Sequence, residues 1–421
     1  MELYRRYHVL RKDFPKAHAM IVAIARLGDL FKDMSQYRRL LKLRNRKAQQ
    51  LLDFFQFTLD MPGLYPELRR NFLIATQRLS SCSGLYPTCY DLKTIELMGG
   101  HPVTSGGFAD IYKGRCNSEI VCLKVIRVYQ TSHFQLFLKR ISSEAILWGQ
   151  LQHPNILPFY GVYYLNARPC LVSPWLDQDI LSFLNDNPNV NRRLLVSDVA
   201  SGVAFLHSRE IVHGDLKAAN ILVNELQRAT ITDFGLSAVC DPSILHWASH
   251  STAASKGGSV RWQAPELFDD VSDELVHNSK ASDVYAFSCV AYEIFTEKLP
   301  FFELGKLEAT VLHHVKTGGR PSCPTDLSPA WLPLRLTRSL WTLMQSCWHT
   351  NPEKRPSIDT VVDHTDLKVP DTRSVNDADS LLFSNFRHFM ASRSIPPSFR
   401  AIQEILIDLE HLKDEILVEE N

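Results

Sequence analysis

The sequence predicts an α+β protein in which a small strand-rich unit precedes a larger helical one, with helical segments before and after them. Three observations predict this organisation. Apolar residues recur at helical spacing before residue 90, the period shortens to that of strands from about Leu92, and helical patterns return over residues 194–207 and 283–295. At 421 residues the chain suits two or three structural units, since a single core stops growing near about 250–300 residues.

Residues 1–90 are expected to form a small helical N-terminal region. Its first apolar stripe consists of Ile21, Ile24, Leu27, Leu30, Phe31 and Met34. Later stripes run from Leu51 to Met61, up to the break at Pro62-Gly63, and over Leu68, Phe72, Ala75 and Leu79. Such stripes more often pack against neighbouring helices than bind a partner, and the second interpretation stays open.

Charge is distributed unevenly, although the formal net charge is zero. Residues 1–90 hold 16 Lys and Arg against 7 Asp and Glu, whereas residues 366–421 hold 6 against 11. Three interpretations follow: an anionic partner or membrane surface bound through the basic helical region, a solvated helix face, or attraction between the basic head and the acidic tail. The solvated face is the simplest of these, and no nucleic-acid partner is expected.

Composition and cysteine spacing argue against several classes of protein. With 45% hydrophobic and 22% charged residues, the chain has an ordinary globular composition rather than a disordered one. The nine cysteines lack both the dense spacing of a secreted disulfide framework and the paired spacing of a zinc site, so reduced thiols in the cytoplasm or nucleus are expected. No stretch approaches the roughly 18 uninterrupted apolar residues that a membrane span needs, so no membrane span is expected.

The strand-rich unit opens with a predicted hairpin. Residues 111–114 and 120–125 are β-rich runs, and the polar turn at Asn117-Ser118 separates them. Lys124 lies on the second of these strands, within the string V-C-L-K-V.

Residues 366–421 are expected to form an acidic tail with one helix. After Pro396-Pro397 the apolar positions are Ile402, Ile405, Leu409, Leu412 and Ile416. Their spacing covers just over two heptads, which is short of the roughly three to four that a coiled coil needs. A helix that docks on its own protein is therefore expected.

Residues 213–220 read H-G-D-L-K-A-A-N and lie between a predicted helix and a short predicted strand. Phosphoryl transfer needs positioning and charge neutralisation more than covalent chemistry. Asp215 can accept a hydroxyl proton, Lys217 can neutralise a transferring phosphate, and Asn220 offers a metal-binding carbonyl. Asp233, in the string D-F-G, adds a carboxylate that can hold Mg²⁺.

These strings resemble the protein kinase superfamily. The catalytic loop H-R-D-L-K-x-x-N matches residues 213–220 apart from Gly214, which replaces arginine, and A-P-E at residues 264–266 follows D-F-G as in a kinase activation segment. The resemblance spans about residues 92–365 and implies the bilobal kinase fold, with a small β-rich lobe and a large helical lobe. It also implies ATP and Mg²⁺ as cofactors and proteins as substrates.

The resemblance assigns roles to two residues of the strand-rich unit. Lys124 matches the V-A-I-K lysine, which orients the α- and β-phosphates of ATP. Glu144 lies nine residues before His153, where the family has the helix glutamate that pairs with this lysine. The pair would fix a long, flexible ammonium side chain as a phosphate clamp.

The glycine-rich phosphate cover of the family is the least regular match. Residues 104–111 resemble it, and Gly106 and Gly107 would approach the phosphates there through their backbone amides. Thr104 and Ala109 stand at two of the family's glycine positions, which adds side chains to the turn.

Three further strings of the helical unit match the family. They are residues 259–266, residues 283–287 and Cys347-Trp348 together with Arg355-Pro356. The resemblance implies a substrate-facing loop, a buried helix aspartate at Asp283 and an arginine, Arg355, that pairs with Glu266. These roles are structural: Asp283 would tether the backbone, and Arg355 would form a buried ion pair with Glu266.

Within the superfamily the chain resembles the tyrosine-kinase-like group, in a form found in fungal kinases. Trp262, Cys347-Trp348 and residues 157–161 carry this resemblance. Lys217, two residues after Asp215, and Ser259 both match the serine/threonine pattern. Serine and threonine are therefore the expected acceptors, and tyrosine is the less favoured alternative.

A pseudokinase scaffold, which binds nucleotide and partners without efficient catalysis, is the alternative from another class. Thr104, Ala109 and Gly214 favour it, and Gly214 also lacks the charge with which arginine grips a phosphorylated activation segment. Retention of the other five key residues favours catalysis, because a scaffold has no chemical need for the full set. Those residues are Lys124, Glu144, Asp215, Asn220 and Asp233.

Overall fold

The computed structural model describes residues 14–61, 63–105, 109–126, 142, 144–166, 168–233, 238–239, 259–268, 278–373 and 398–411. The described residues fall into two compact units. The first contains the described residues up to 150, residues 158–174 and the tail helix, and the second contains residues 151–157 and 175–373. The predicted α+β class, with additional helices before and after, is confirmed.

The first unit begins with a group of helices joined by short turns. These are α1 (Phe14–Leu30), α2 (Met34–Leu41), α3 (Asn45–Leu59) and α4 (Pro66–Ser83). Asp33 caps α2, because its side chain accepts hydrogen bonds from the backbone amides of Ser35 and Gln36. Gly84 ends α4 in the left-handed region at φ 71°, where glycine fits without strain.

The inward face of α1 differs from the predicted apolar stripe. Its buried positions are Met20, Ala23, Leu27 and Leu30. Ile21 and Met34 were predicted to lie on this face, but they are 62% and 59% exposed. Ile21 is about 100° around the helix from Met20, and Met34 belongs to a new helix that begins after Asp33, so the two helices do not share one stripe.

The tail helix α12 (Phe399–His411) packs against α1, α2 and α3. Its buried side chains are Ile402, Ile405, Leu406 and Leu409. The prediction of a helix that docks on its own protein is thus confirmed; Leu412 and Ile416 lie outside the described residues.

Two ion pairs join the basic head to the acidic tail helix. Arg26 contacts Glu410 at 2.6 Å, and Lys47 contacts Asp408 at 2.8 Å. Exposed pairs of this kind stabilise by only about 0–1 kcal/mol each, so the apolar contacts hold α12 in place and the charges select its orientation. The attraction between head and tail that the charge distribution suggested is therefore present, while an external partner for the basic region stays a prediction.

The first unit also contains a six-stranded antiparallel sheet. Its strands are β1 (Glu96–Leu97), β2 (Thr104–Ser105), β3 (Ala109–Cys116), β4 (Glu119–Ile126), β5 (Gly161–Leu165) and β6 (Arg168–Pro174). Their order is β1-β3-β4-β6-β5, and β2 also pairs with β3. The predicted hairpin is confirmed as β3 and β4, with Asn117 at φ 55° in the turn between them. The unit also contains helix α5, which the structure describes over residues 144–149.

The second unit is mainly helical. Its helices are α6 (Ile180–Asp186), α7 (Arg192–Ser208), α8 (Lys280–Thr296), α9 (Glu308–Lys316), α10 (Arg338–Cys347) and α11 (Ile358–Val362). Its strands are β7 (Gln178–Asp179), β8 (Ile211–Val212), β9 (Ile221–Val223), β10 (Ala229–Ile231) and β11 (Ala238–Val239). The helices predicted over residues 194–207 and 283–295 are confirmed as α7 and α8. Every residue of α8 from 282 to 295 is buried, so this helix is the centre of the unit.

Strand pairing fixes the segment that carries the candidate site. The short strands form two antiparallel sheets, β10-β9-β7 and β11-β8. Residues 213–220 run from β8 to β9, so both ends of this segment are hydrogen-bonded into sheets. Among the described residues, no helix combines the length and the apolar character needed to cross a bilayer.

Candidate active site

The segment from 213 to 220 brings three predicted site residues into direct contact. The Lys217 ammonium donates to Oδ2 of Asp215 at 2.7 Å, and the Asn220 amide nitrogen donates to the same oxygen at 3.1 Å. The amide nitrogen of Asn220 also donates to the backbone carbonyl of Asp215 at 2.7 Å. Because this nitrogen is turned toward Asp215, the carbonyl oxygen of Asn220 is the atom that can coordinate a cation.

The carboxylate of Asp283, on α8, accepts hydrogen bonds from the beginning of this segment. Asp283 is 1% exposed, and its carboxylate accepts the backbone amides of His213 at 2.8 Å and Gly214 at 2.9 Å. The same carboxylate lies 3.0 Å from Nε2 of His207. The backbone tether predicted at Asp283 is therefore confirmed, and it anchors the loop to the most buried helix of the unit.

Gly214 has a conformational reason to be glycine. Its φ is 81°, in the left-handed region that side chains other than glycine adopt at a cost of roughly 1–2 kcal/mol. The departure from the family's arginine thus relieves backbone strain while the tether to Asp283 is kept. For this reason Gly214 does not by itself indicate a damaged loop.

Asp233 follows β10 and is connected to the same loop through Thr232. The Thr232 amide donates to the backbone carbonyl of Asn220 at 2.9 Å, and the Thr232 carbonyl lies 3.0 Å from Nε2 of His213. Asp233 itself has φ 66°, a left-handed conformation that is uncommon for a residue with a side chain and concentrates at functional sites. Phe234 and Gly235 lie outside the described residues.

Lys217 connects the loop to the predicted substrate-facing segment. Besides Asp215, its ammonium donates to the Ser259 hydroxyl at 3.1 Å. Asp215, Ser259, Trp262 and Gln263 line a small cavity of about 10 Å³, which Asp283 of α8 also lines.

The ion pair predicted between Glu266 and Arg355 is present. The guanidinium of Arg355 donates two hydrogen bonds to Glu266, each of 2.7 Å, in the bidentate geometry that favours arginine. The pair joins the end of the substrate-facing segment to the turn before α11, and so it fixes that segment on the helical unit.

Glu293 of α8 is a site residue that no motif in the sequence identified. It is buried, and its Oε2 accepts the backbone amide of Ala218 at 3.0 Å and the indole N–H of Trp262 at 2.7 Å. One carboxylate therefore links the catalytic loop to the substrate-facing segment. Loss of solvation on burial raises the pKa of Glu293 to about 7. In the sequence, the signal for Glu293 is a carboxylate within an otherwise apolar helical run.

Replacement of Glu293 by glutamine is expected to change how stability depends on pH. Because the pKa of Glu293 is about 7 in the folded state and has its ordinary value of 4.5 in the unfolded state, the folded state binds more protons between these values. The contribution of Glu293 to stability is therefore complete below about pH 4.5 and is lost as the pH rises through about 7. The loss is on the order of 3 kcal/mol, since one pKa unit corresponds to about 1.4 kcal/mol.

The measurement is the melting temperature of the wild type minus that of Glu293→Gln at pH 5, 6, 7 and 8. This difference should fall as the pH rises. Burial lowers the pKa of His153 to about 4, which gives the opposite trend below pH 6.5, but both proteins contain His153 and the subtraction removes it. A difference that stays constant or rises with pH would contradict the assignment.

In the first unit, the predicted ion pair between Lys124 and Glu144 is present. The ammonium of Lys124, on β4, lies 3.1 Å from a carboxylate oxygen of Glu144 in α5. Val121, Leu123 and Val125 of the same strand are buried in the sheet core, and strand alternation places Lys124 on the opposite face. The pair thus presents a positioned ammonium on one face of the sheet.

The flanks of the predicted phosphate cover are regular strand. Thr104 pairs with Ile111, and Ala109 pairs with Ile126, so both residues that replace family glycines lie in antiparallel ladders. Extended backbone accommodates any side chain, so neither position requires glycine for its conformation. Gly106 and Gly107 lie outside the described residues, and their contact with phosphate stays a prediction.

The residues present fit a magnesium nucleotide. Mg²⁺ prefers carboxylate and carbonyl oxygens and retains waters and phosphate ligands, which suits a site with the Asp233 carboxylate and the Asn220 carbonyl as its protein ligands. An ammonium fixed by a carboxylate, as in Lys124 with Glu144, suits a phosphate. The predicted site residues thus form two groups, one in each unit.

Sequence comparison finds both a matching family model and relatives among known proteins. A family model described as protein tyrosine and serine/threonine kinase matches residues 97–365. Among relatives, the serine/threonine/tyrosine-protein kinase HT1 of Arabidopsis thaliana is 28% identical over 277 residues, covering 63% of this chain and 65% of the relative. The serine/threonine-protein kinase STY46 of the same plant is 26% identical over 279 residues, covering 65% of this chain and 44% of the relative.

A third relative comes from a different organism. The dual specificity protein kinase shkD of Dictyostelium discoideum is 30% identical over 264 residues, covering 61% of this chain and 32% of the relative. The matched segment thus spans less than two-thirds of the length of each of these three relatives.

Proposed function

The chain belongs to the protein tyrosine and serine/threonine kinase family, and from this premise we propose that it transfers the γ-phosphoryl group of ATP to serine or threonine hydroxyls of protein substrates in cytoplasmic or nuclear signalling. The observation that carries this proposal is the bonding of Lys217 and Asn220 to one oxygen of Asp215. Three groups that phosphoryl transfer requires thus lie on a single anchored loop.

Each residue has a role that follows from its contacts. Asp215 accepts the proton of the substrate hydroxyl as the oxygen attacks the γ-phosphorus, because its carboxylate is held in place by two donors. Lys217 balances the charge that develops on the transferring phosphoryl group. The Asn220 carbonyl and the Asp233 carboxylate would hold Mg²⁺, which would supply positive charge to neutralise the phosphates.

The remaining roles concern the nucleotide. Lys124 binds the α- and β-phosphates of ATP, and Glu144 keeps its ammonium in place through the 3.1 Å ion pair. Gly106 and Gly107 cover the phosphates with backbone amides.

Contacts of Lys217 support serine and threonine as acceptors. Its ammonium donates to both Asp215 and Ser259, at 2.7 and 3.1 Å, so the two residues that match the serine/threonine pattern are in contact beside the proposed base. The three relatives are a serine/threonine, a serine/threonine/tyrosine and a dual specificity kinase, so tyrosine transfer is the outcome against which the proposal is tested.

The test is incubation of the purified full-length chain with γ-radiolabelled ATP, Mg²⁺ and generic protein acceptors, followed by identification of the labelled amino acid. Label on serine or threonine supports the proposal. Label mainly on tyrosine overturns the acceptor assignment while it keeps the kinase activity. Nucleotide binding without any transfer of label favours a pseudokinase scaffold instead.

Replacement of Asp233 by asparagine is expected to weaken magnesium-dependent ATP binding by about 10-fold to 100-fold, since a contact with a charged group contributes about 1.5–3 kcal/mol. Calorimetric titration with ATP, in the presence and absence of Mg²⁺, measures the effect. The variant should lose the magnesium-dependent part of the affinity and retain the rest. An equal response of wild type and variant to Mg²⁺ would remove Asp233 from the proposed metal ligands.

A further inference from the structure

The end of helix α5 is bonded to a buried glutamine from the helical head. Gln56 of α3 is 1% exposed, and its side-chain oxygen accepts hydrogen bonds from the Gln150 amide and the Tyr90 hydroxyl, each at 2.8 Å. The Gln56 amide donates to Asp60 at 2.9 Å. A buried polar group is stabilising only when bonded in this way, so the position of Gln150 is specified by the head.

Tyr90, in the segment that follows α4, belongs to the same hydrogen-bond network. Its hydroxyl also accepts the Gln150 amide at 3.3 Å. Gly149, the last residue of α5, lies so close that an added Cβ would be 2.3 Å from this hydroxyl oxygen. The Tyr90 ring meets Phe159 edge-to-face with centroids 5.4 Å apart. The end of α5 is thus restrained by the close contact at the Gly149 backbone and by the hydrogen bonds of the Gln150 side chain.

Glu144 of α5 pairs with Lys124. Glu144 and Gln150 are six positions apart, about 9 Å along the helix axis. Both residues belong to one rigid stretch of backbone, so hydrogen bonds at Gln150 restrain the rotation of the turn that carries Glu144. A rotation by one residue, about 100°, would carry the Glu144 carboxylate away from the sheet face that presents Lys124.

We propose that Tyr90 and Gln56 are positioning residues for nucleotide binding, which set the rotation of α5 so that Glu144 meets Lys124. This inference rests on the proposed function, because it assigns the helical head a role in the phosphate clamp. An apolar contact between α3 and α5 would permit several rotations, whereas hydrogen bonds between Gln56, Tyr90 and Gln150 are satisfied in one. Buried polar groups that specify a single register are a known use of such networks.

The test is a double-mutant cycle on the affinity for Mg-ATP, measured by calorimetry with the full-length chain. Tyr90→Phe removes the hydroxyl and keeps the ring against Phe159 and Gly149. Alone it should weaken Mg-ATP binding by about 5-fold to 20-fold, within the coupling range of residues that share a network. In a Glu144→Gln background the same change should weaken binding by less than about 2-fold, because the residue through which it acts is already lost.

Tyr86→Phe is the matched control. The Tyr86 hydroxyl, in the same connecting segment, donates to Asp91 at 2.8 Å, and Asp91 pairs with strand β5 rather than with α5. Its loss should leave the affinity for Mg-ATP unchanged. Wild-type affinity in Tyr90→Phe, or an equal loss with and without Glu144, would overturn the inference. Absence of any ATP binding by the wild type would instead overturn the proposed function, and the inference with it.

Discussion

Asp215→Ala is expected to lower kcat by about 10²–10⁴ while ATP affinity changes little, as for a residue that acts mainly in the transition state. The carboxylate that accepts the hydroxyl proton is lost, and Lys217 and Asn220 lose the oxygen that they both contact at 2.7 and 3.1 Å. Rates of phosphoryl transfer at saturating ATP, together with ATP affinity from calorimetry, separate the two effects.

Two comparison variants define the cause of this loss. Asp215→Asn keeps an oxygen that can accept from Lys217 but cannot take up a proton at neutral pH, so it should be nearly as inactive as the alanine variant. Asp363→Asn, which changes an exposed aspartate paired with Lys368, should retain wild-type turnover. Turnover within a few-fold of wild type in both Asp215 variants would show that Asp215 is not the base.

Arg355→Met is expected to lower the free energy of unfolding of the second unit by about 3–5 kcal/mol, the usual cost of removing one partner from a buried ion pair. The Arg355 side chain is 0% exposed. Besides two bonds to Glu266, it donates to the backbone carbonyls of His349 at 2.8 Å and Ala281 at 3.0 Å. Its removal leaves a carboxylate and two carbonyls without these partners. Denaturant unfolding followed by intrinsic fluorescence measures the change.

Arg400→Met is the matched control for this prediction. Arg400 and Glu404 form the same kind of pair one turn apart on α12, but both side chains are exposed. The loss there should be below about 0.5 kcal/mol, as for exposed helix pairs. A loss below about 1 kcal/mol in Arg355→Met would contradict the importance given to the buried pair.

Local patterns account for the parts of the fold and site that the sequence predicted well. The hairpin of β3 and β4 follows from two β-rich runs and a turn at Asn117, and all of these are contiguous in sequence. The contacts among Asp215, Lys217 and Asn220 lie within six residues, so a short string contains the whole arrangement. For the same reason residues 213–220 could be predicted as a site before their surroundings were known.

Contacts between residues that are far apart in the sequence could not be predicted from local patterns. Gln56 bonds Tyr90 and Gln150, which are 34 and 94 positions away, and Glu293 bonds an amide 75 positions away. In each case a polar residue lies in an apolar helical run, which indicates a buried bond without identifying its partner. The inward face of α1 was misassigned at Ile21 and Met34 because periodicity alone does not locate the end of one helix and the start of the next.

The backbone conformation at Gly214 changes how the replacement of the family's arginine is interpreted. From sequence it appeared only as a missing arginine charge. The φ of 81° at Gly214 adds that glycine is the residue with the least strain at this position. The departure from the family motif thus has a structural cause that leaves the tether to Asp283 intact.

The central claim, that this chain moves phosphoryl groups, is tested most directly by a single-turnover reaction with the full-length protein in excess over γ-radiolabelled ATP. Excess protein makes slow product release irrelevant, so only binding and chemistry are observed. With Mg²⁺ and a protein acceptor present, the label should leave ATP and appear on acceptor hydroxyls, and chelation of Mg²⁺ should stop the transfer. ATP that is bound by the protein yet keeps all of its label would contradict the account.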